Sequence, residues 1–256
     1  MQIIDFITDK NAILFILLFS RVSGFFAFMP FFSHANISVT IKTALALYIT
    51  IFFFPIAQLP KNLDITTINI LFMIVSELTI GFLAAFLLNM TFSALSFAGS
   101  QISMVMGFSM ATLFDPITGT NSPLISQILT LIAILFFLAF DGHHLILLFL
   151  SKSIDHITLG SFYPHKEWLE SLIKAVTLMF KIGLILSFPI IALSLLSDII
   201  FGMLMKTMPQ FNLLVVGFPI KIFLSTLVLM AILGSMMLLF KEYFLKYFEA
   251  IKIFLQ

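Results

Sequence analysis

The sequence predicts an all-α protein built from helical hairpins with kinked or broken helices, and three observations predict it. Hydrophobic residues make up 61% of the 256 residues and charged residues only 10%, whereas soluble domains carry about 25% charged residues. The mean hydropathy is +1.18. Apolar runs long enough for helices of about 20 residues recur along the chain, and glycine, proline and single charges interrupt them. We therefore expect five to seven hydrophobic helices in one membrane-associated unit.

Charge and cysteine content exclude several functions. Thirteen basic and 12 acidic residues leave a net charge of +1, which gives no electrostatic reason for binding nucleic acid. The absence of cysteine from the sequence excludes disulfides, thiolate metal sites and cysteine nucleophiles. The first ten residues include Asp5, Asp9 and Lys10 and lack the basic start of a cleaved signal. The first apolar run is therefore expected to remain in the mature protein.

The first half of the chain contains three apolar runs before the centre. Residues 11–29 form a first predicted helix that contains Arg21 and ends at a proline, and residues 43–55 form a second. A loop is predicted at 33–39 and a polar turn at 60–64. Residues 65–90 form a third helix whose one ionisable group is Glu77.

Arg21 and Glu77 form a candidate pair. A charged residue inside an apolar helix costs about 2.5–3.5 kcal/mol on insertion scales and therefore needs protein, water or a partner beside it. Gly81 and Ala85 lie on the same helical face as Glu77, with a spacing that allows close helix contact. Two alternatives remain for these charges: snorkelling of Arg21 toward a membrane interface, or contact of either residue with another subunit.

The central stretch, residues 99–116, is rich in small and sulfur-containing residues. Small residues recur at helical spacing and predict one close-packing stripe: Ser96, Gly99, Ser103, Gly107 and Ala111. Asp115-Pro116 is expected to stop this helix because proline lacks an N–H. The stretch suits either a plug or constriction, or a bundle-core helix followed by a loop.

A polar group follows the next apolar run, residues 124–140. Asp141, His143 and His144 contain metal-ligating atoms. However, neighbouring residues on a helix diverge by about 100°, and no third ligand stands out. We expect a polar helix end or interfacial turn here, and no metal or other cofactor.

The second half of the chain begins with a hydrophilic connector, residues 151–174, which contains the single tryptophan. Residues 175–205 and 213–240 are two long apolar runs, and the polar break between them predicts a helical hairpin with a polar tip. Residues 241–256 form an amphipathic tail whose apolar face suits a helix lying at a membrane interface.

Ordered motifs across nearly the whole chain resemble FliR, the flagellar protein of the type III export gate, and its injectisome relative SctT. They are Arg21-x-x-Gly24 with Pro30, Glu77-x-x-x-Gly81-Phe82, Gly107-Phe108-x-x-Ala111-x-x-x-Asp115-Pro116, Gly142-His143-His144 with Ser153, and Pro209-Gln210-x-Asn212-x-x-x-x-Gly217-Phe218-Pro219-x-Lys221. Lys206 departs from the family pattern, which often has arginine there, so a bidentate contact is in doubt. The residues of the central motif and of the Gly-His-His motif resemble flagellar members of the family more than injectisome members.

The resemblance implies a non-enzymatic subunit of a helical pore assembly in the bacterial inner membrane, within the flagellar basal body. It implies partners of the FliP, FliQ and FlhB types and unfolded flagellar proteins as the exported cargo. Residues 1–150 would correspond to a FliP-like part with a plug loop near 104–116. Residues 151–174 would form the connector, and residues 175–256 the FliQ-like hairpin and tail.

The candidate functional residues fall into three groups. The plug or constriction group is Met104, Met106, Gly107, Phe108, Met110, Phe114, Asp115 and Pro116. The buried polar group, expected to find partners across subunits, is Arg21, Glu77, Gln101 and Asp198. The hairpin-tip and partner-contact group is Lys206, Pro209, Gln210, Asn212, Gly217, Pro219 and Lys221.

Two other functions were weighed against the export gate. A small secondary transporter would use Arg21, Glu77 and Asp198 as a site at the membrane midplane, although no repeat between the two halves is evident. An intramembrane hydrolase would use Asp115, Asp141 and His143, but these residues lack a defensible spacing of nucleophile and base.

Overall fold

A computed structural model describes residues 9–29, 38–60, 66–108, 123–162, 166–208 and 213–253. Within these ranges the regular structure is entirely helical. The α-helices are α1 (Asp9–Phe28), α2 (Val39–Phe53), α3 (Thr67–Met106), α4 (Leu124–Ala139), α5 (Gly142–His156), α6 (Lys166–Thr207) and α7 (Phe218–Ile253). A short 3₁₀ turn, Phe54–Ile56, follows α2, and a π-helical turn, Leu213–Gly217, precedes α7. The predicted all-α class is confirmed.

Five of the described helices are long and apolar enough to cross a membrane, and six spans result if α4 and α5 count as one broken span. This agrees with the expected five to seven hydrophobic helices. The predicted polar group at residue 141 lies at the break between α4 and α5. There Asp141 adopts the left-handed region at φ 60°.

The predicted loop at 33–39 and the polar turn at 60–64 lie mostly outside the described residues. Where the first of these loops ends, Ser38 caps α2, and its hydroxyl accepts a hydrogen bond from the Ile41 N–H at 3.4 Å. A serine cap satisfies one of the N–H groups that the first helical turn leaves without a partner. Consequently α2 begins at Val39, earlier than the predicted Thr43.

Helices α3 and α6 continue beyond their predicted limits, and α5 was not predicted. The third predicted helix and the start of the central stretch form one helix, α3, of 40 residues. The connector prediction was only partly right, because residues 151–156 belong to α5 and residues 166–174 begin the 42-residue α6. Isolated charges do not end a helix whose other faces pack, so the polar residues of the connector were a weak boundary signal.

The prediction of a separate interfacial tail was wrong. Helix α7 continues to Ile253 and has 36 residues. Phe244, Tyr247 and Phe248 in this part are buried within the chain. The Tyr247 hydroxyl donates to the Ala175 carbonyl at 3.0 Å, and Phe244 contacts Phe140 with ring centroids 5.8 Å apart. At Phe244 and Phe248 the apolar face of the tail is therefore covered by protein.

The chain divides into two compact units. Unit 1 comprises residues 1–90, 140–175 and 244–256, and unit 2 comprises residues 91–139 and 176–243. In unit 1 a cluster of Ile80, Leu83, Phe162 and Trp168 forms part of the core. In unit 2 the Phe92 ring lies edge-on to Phe137 and Phe240, with centroids 5.7 and 4.9 Å away.

Candidate functional site

A buried arginine lies at the centre of unit 1. Arg21 on α1 is 1% exposed and Glu77 on α3 is 0% exposed. The Arg21 Nε donates to Glu77 Oε2 at 2.5 Å, and Nη2 donates to Oε1 at 3.1 Å. This is the bidentate geometry of a strong arginine–carboxylate pair. The predicted pair therefore forms within the chain.

Backbone and hydroxyl groups complete the coordination of this arginine. Its Nη1 donates to the Ser153 carbonyl at 2.7 Å and to the Ser153 hydroxyl at 3.1 Å, while Nη2 also donates to the Ile157 carbonyl at 3.1 Å. A guanidinium has five N–H donors, and these contacts account for all five. Glu77 Oε1 also accepts from the Gly160 N–H at 2.6 Å.

Glycines allow α1 and α3 to approach closely enough for the pair to form. A Cβ at Gly81 would lie 2.4 Å from the Arg21 carbonyl oxygen, and one at Gly24 would lie 2.9 Å from the Leu78 carbonyl oxygen. Gly160 has φ +80°, which other residues rarely adopt. This turn directs its N–H at Glu77. The small-residue spacing at Gly81 predicted this close contact correctly.

These contacts decide between the alternatives for Arg21. Snorkelling is wrong, because the guanidinium is buried and fully bonded inside unit 1. The expectation that Arg21 and Glu77 find their partners across subunits is also wrong, since the chain itself supplies them. The sequence analysis named Ser153 in a motif but assigned it no role, and it missed the contact of Gly160 with Glu77. Neither residue shows a local sequence pattern that points to the pair.

The small-residue stripe of α3 packs against α4 in unit 2. A Cβ at Gly99 would lie 2.4 Å from the Ser126 Cα. The Ser126 hydroxyl donates to the Ser96 carbonyl at 2.9 Å and lies 2.9 Å from the Ser96 hydroxyl. Ser96 and Gly99 of the stripe therefore make a close contact with α4, whereas Ala111 lies outside the described residues.

The end of α3 is held by two other helices of unit 2. Gly107 has φ +87° and ends the helix in the left-handed conformation typical of helix ends. The Ser194 hydroxyl of α6 donates to the Val105 carbonyl at 2.8 Å, where the last turn leaves carbonyls without helical partners. A Cβ at Gly107 would lie 3.1 Å from the Phe218 ring of α7. We call Val105, Gly107, Ser194 and Phe218 the α3-end cluster.

Gly107 interrupts the helix through its positive φ, so α3 ends at Met106. Phe108 is again helical, and the predicted stop at Asp115-Pro116 lies outside the described residues and stays a prediction. Met106 is fully buried, so its side chain packs inside the chain, while Met104 is 67% exposed. Phe108 is half-buried. Met110, Phe114, Asp115 and Pro116 lie outside the described residues.

A second ion pair lies between α6 and α7. Lys221 Nζ donates to both carboxylate oxygens of Asp198, at 2.7 and 2.9 Å. The lysine side chain is 8% exposed and the aspartate side chain 54%. Asp198 was predicted to be buried with a partner in another subunit. In this chain its side chain is about half exposed, and its partner, Lys221, belongs to the same chain.

The remaining candidates are distributed more widely. Gln101 is half-buried, Gly217 is buried, and Lys206 and Pro219 are exposed. Pro209, Gln210 and Asn212 lie outside the described residues. Sequence reasoning missed the roles of Ser126, Ser194 and Phe218, although Phe218 stands in the Gly-Phe-Pro-x-Lys motif.

The fold and the two ion pairs define a class of protein: a multi-helix protein with helices suited to a membrane, in which Arg21–Glu77 and Asp198–Lys221 pair within the chain. The chain matches the family described as bacterial export proteins, family 1, over residues 12–247.

Three relatives are each called flagellar biosynthetic protein FliR. The chain is 31% identical over 233 residues to that of Bacillus subtilis, covering 90% of both chains. It is 32% identical over 205 residues to that of Pectobacterium carotovorum, covering 80% of this chain and 78% of the relative. It is 26% identical over 256 residues to that of Aquifex aeolicus, covering 98% of both. The chain belongs to family 1 of the bacterial export proteins, and the resemblance to FliR drawn from its motifs is confirmed.

Proposed function

We propose that the chain is a non-enzymatic core subunit of the flagellar type III export gate, in the bacterial inner membrane within the flagellar basal body. There it helps to form and close the pore through which unfolded flagellar proteins are secreted. The observation that carries the proposal is the family match over residues 12–247. Relatives that cover most of the chain and are called flagellar biosynthetic proteins support the flagellar assignment.

The lengths of three helices support assembly with other subunits. Helices α3, α6 and α7 have 40, 42 and 36 residues, which corresponds to roughly 54–63 Å at 1.5 Å per residue. The hydrocarbon core of a bilayer is only about 30 Å thick. Large parts of these helices therefore need protein contacts beyond the membrane core.

The apolar surface of α7 supports the same conclusion. Only 17% of its most apolar window is buried within the chain. We propose that FliP and FliQ homologues cover this surface and that all three subunits spiral around the pore, with an FlhB homologue as a further partner. Residues 1–150 would take a FliP-like place and residues 175–256 a FliQ-like place, joined by residues 151–174. Asp198–Lys221 joins α6 to α7 and supports the hairpin.

We propose the stretch from Met104 to Pro116 as the plug. The α3-end cluster supports this, because it anchors the chain just before Phe108 to helices α6 and α7. Exposed methionine adapts to changing contacts, and an apolar constriction can stay closed to ions by excluding water. Met110, Phe114, Asp115 and Pro116 belong to the proposed plug on the resemblance alone.

Partner contact is proposed for the residues around the break between α6 and α7. They are Lys206, Pro209, Gln210, Asn212, Gly217, Pro219 and Lys221. The exposure of Lys206 in the last turn of α6 supports this role. Of the four residues predicted as the buried polar group, Gln101 and Asp198 remain candidates for contacts to another subunit.

Co-expression tests the assembly. The chain would be produced together with FliP and FliQ homologues, purified through a tag on one of those partners, and imaged by cryo-electron microscopy. We expect a hetero-oligomer in which this chain takes one place in a closed helical pore. Absence of this chain from the purified partner complex, together with a chain that lies alone and flat in lipid with residues 104–108 facing acyl chains, would refute the proposal.

Ion leak tests the plug. Gly107→Val forces a branched residue into φ +87° against Phe218, so we expect cells carrying it to leak ions while assembly persists. Gly202→Val is the matched control, because nothing lies within 4 Å of a Cβ there in this chain. Equal leak in the two variants would remove the plug assignment.

The other candidate functions are less well supported. A transporter site at Arg21, Glu77 and Asp198 would need free polar groups, whereas protein partners occupy all five donors of the arginine. The intramembrane hydrolase would use Asp141 and His143 inside the membrane protein, whereas both side chains are exposed on this chain. Undiminished export by a His143→Ala/His144→Ala variant would exclude the hydrolase.

A further inference from the structure

An exposed group of metal-ligating side chains lies at the break between α4 and α5. Asp141, His143 and His144 each offer a ligand atom, and these atoms all lie within 4.8 Å of one another. The His144 Nδ1 is 3.4 Å from the Asp141 Oδ1, and the centroids of the two imidazole rings are 4.1 Å apart. We call these three residues the 141–144 cluster.

Local backbone geometry brings the three side chains together. Asp141 has φ 60° and ψ 28°, and its carbonyl accepts from the His144 N–H at 3.0 Å. This places Asp141 one turn before His144, on the same side of the helix start. The sequence argument against a metal rested on a missing third ligand. The left-handed turn at Asp141 supplies one.

The charge of the neighbourhood favours a cation. In the sequence between Asp115 and Lys152, Asp141 is the single charged residue, counting Asp, Glu, Lys and Arg. In the sequence Asp141 lies between two apolar helices, and its side chain is 72% exposed, so a bound cation would supply a positive charge that the neighbouring sequence lacks.

We propose that the 141–144 cluster binds one divalent late first-row transition-metal ion, with Zn²⁺ as the natural probe. The ligands are one imidazole nitrogen each from His143 and His144 and a carboxylate oxygen from Asp141. Two imidazoles and a carboxylate are a common zinc ligand set, with a fourth position left for water or a partner group. Tetrahedral zinc needs ligand atoms about 3.3–3.5 Å apart. The ligand atoms of these exposed side chains lie within 4.8 Å of one another, and small side-chain rotations bring them to the separation that zinc needs.

Metal titration of the full-length chain in detergent tests the site. Any histidine tag must be removed first, because it would bind the same ions. Zn²⁺ is titrated against a chromophoric chelator, and we expect saturation at one equivalent with micromolar or tighter affinity. X-ray absorption of the loaded protein should show nitrogen and oxygen ligands without sulfur.

Three variants and one control locate the ligands. We expect His143→Ala, His144→Ala and Asp141→Asn each to weaken binding at least tenfold. Asparagine tolerates the left-handed backbone, so Asp141→Asn removes the charge while keeping the turn. His156→Ala is the matched control, since His156 is an exposed histidine in the last turn of the same helix, and binding should be unchanged.

Three results would overturn the proposal. Binding without saturation at one equivalent, or an equal loss of affinity in His156→Ala, would indicate an adventitious ion only. Full affinity in Asp141→Asn would show that the cluster is a polar turn in which Asp141 and His144 pair with each other alone.

Discussion

Removal of Glu77 tests whether the buried pair stabilises unit 1. Glu77→Ala deletes three hydrogen bonds: two from Arg21 and one from the Gly160 N–H. It leaves a guanidinium that is 1% exposed without its counter-charge. The arginine keeps its three bonds to Ser153 and Ile157, so part of its hydrogen bonding survives.

The expected loss follows from these contacts. Leaving one partner of a buried ion pair uncompensated costs about 3–5 kcal/mol. Because three of the five arginine bonds remain, we expect the lower end, about 3 kcal/mol. At roughly 2–4 °C per kcal/mol for a chain of this size, the unfolding midpoint should fall by about 6–12 °C.

The single tryptophan provides the assay. Trp168 is 7% exposed and packs against Phe162, with ring centroids 5.2 Å apart, in the same unit as the pair. Thermal unfolding of the chain in detergent can therefore be followed by its fluorescence. Asp155→Ala, which removes an exposed carboxylate from α5, is the matched control and should leave the midpoint unchanged.

A double-mutant cycle separates charge from packing. Arg21→Met with Glu77→Leu removes both charges, so the double variant should lose less stability than the two single variants summed. An unfolding midpoint of Glu77→Ala within about 2 °C of the parent, or strict additivity in the cycle, would refute the reasoning.

Two further predictions use the same unfolding assay. Gly81→Ala places a Cβ 2.4 Å from the Arg21 carbonyl oxygen and should cost about 1–3 kcal/mol; Gly234→Ala, with nothing within 4 Å, should instead stabilise by up to about 1 kcal/mol. Asp198→Ala should cost about 1–3 kcal/mol because it strands the buried ammonium of Lys221. Lys221→Met should cost less, since the half-exposed carboxylate can be hydrated, and equal losses would contradict this.

Hydropathy and residue spacing predicted the helical class and much of the local packing. Apolar runs located every described helix except α5, Gly142–His156, because burial of apolar faces drives helices to form in such a chain. The spacing of Gly81 after Glu77 predicted a close helix contact, and the cost of an isolated charge at Arg21 predicted a buried partner. The ordered motifs further predicted the family to which the chain belongs.

Helix ends were harder to predict, because they depend on backbone conformation at single residues. Gly107 ends α3 and Asp141 separates α4 from α5, both through positive φ values. The sequence predicted neither of these positions. The stop that it did predict, Asp115-Pro116, lies outside the described residues and stays a prediction. At the end of α3, Gly107 lies against Phe218, and the Ser194 hydroxyl donates to the Val105 carbonyl; neither contact shows a local sequence pattern.

By itself the sequence determined most of the helical segments, the polar groups that interrupt them and the family to which the chain belongs. Tertiary structure alone decided which distant groups meet: Ser153 and Gly160 at the Arg21–Glu77 pair, and Ser194 at the end of α3. The physical reason is range. Helical periodicity reports neighbours three or four residues apart, whereas Arg21 and Ser153 are separated by 132 residues and meet only once the helices have packed.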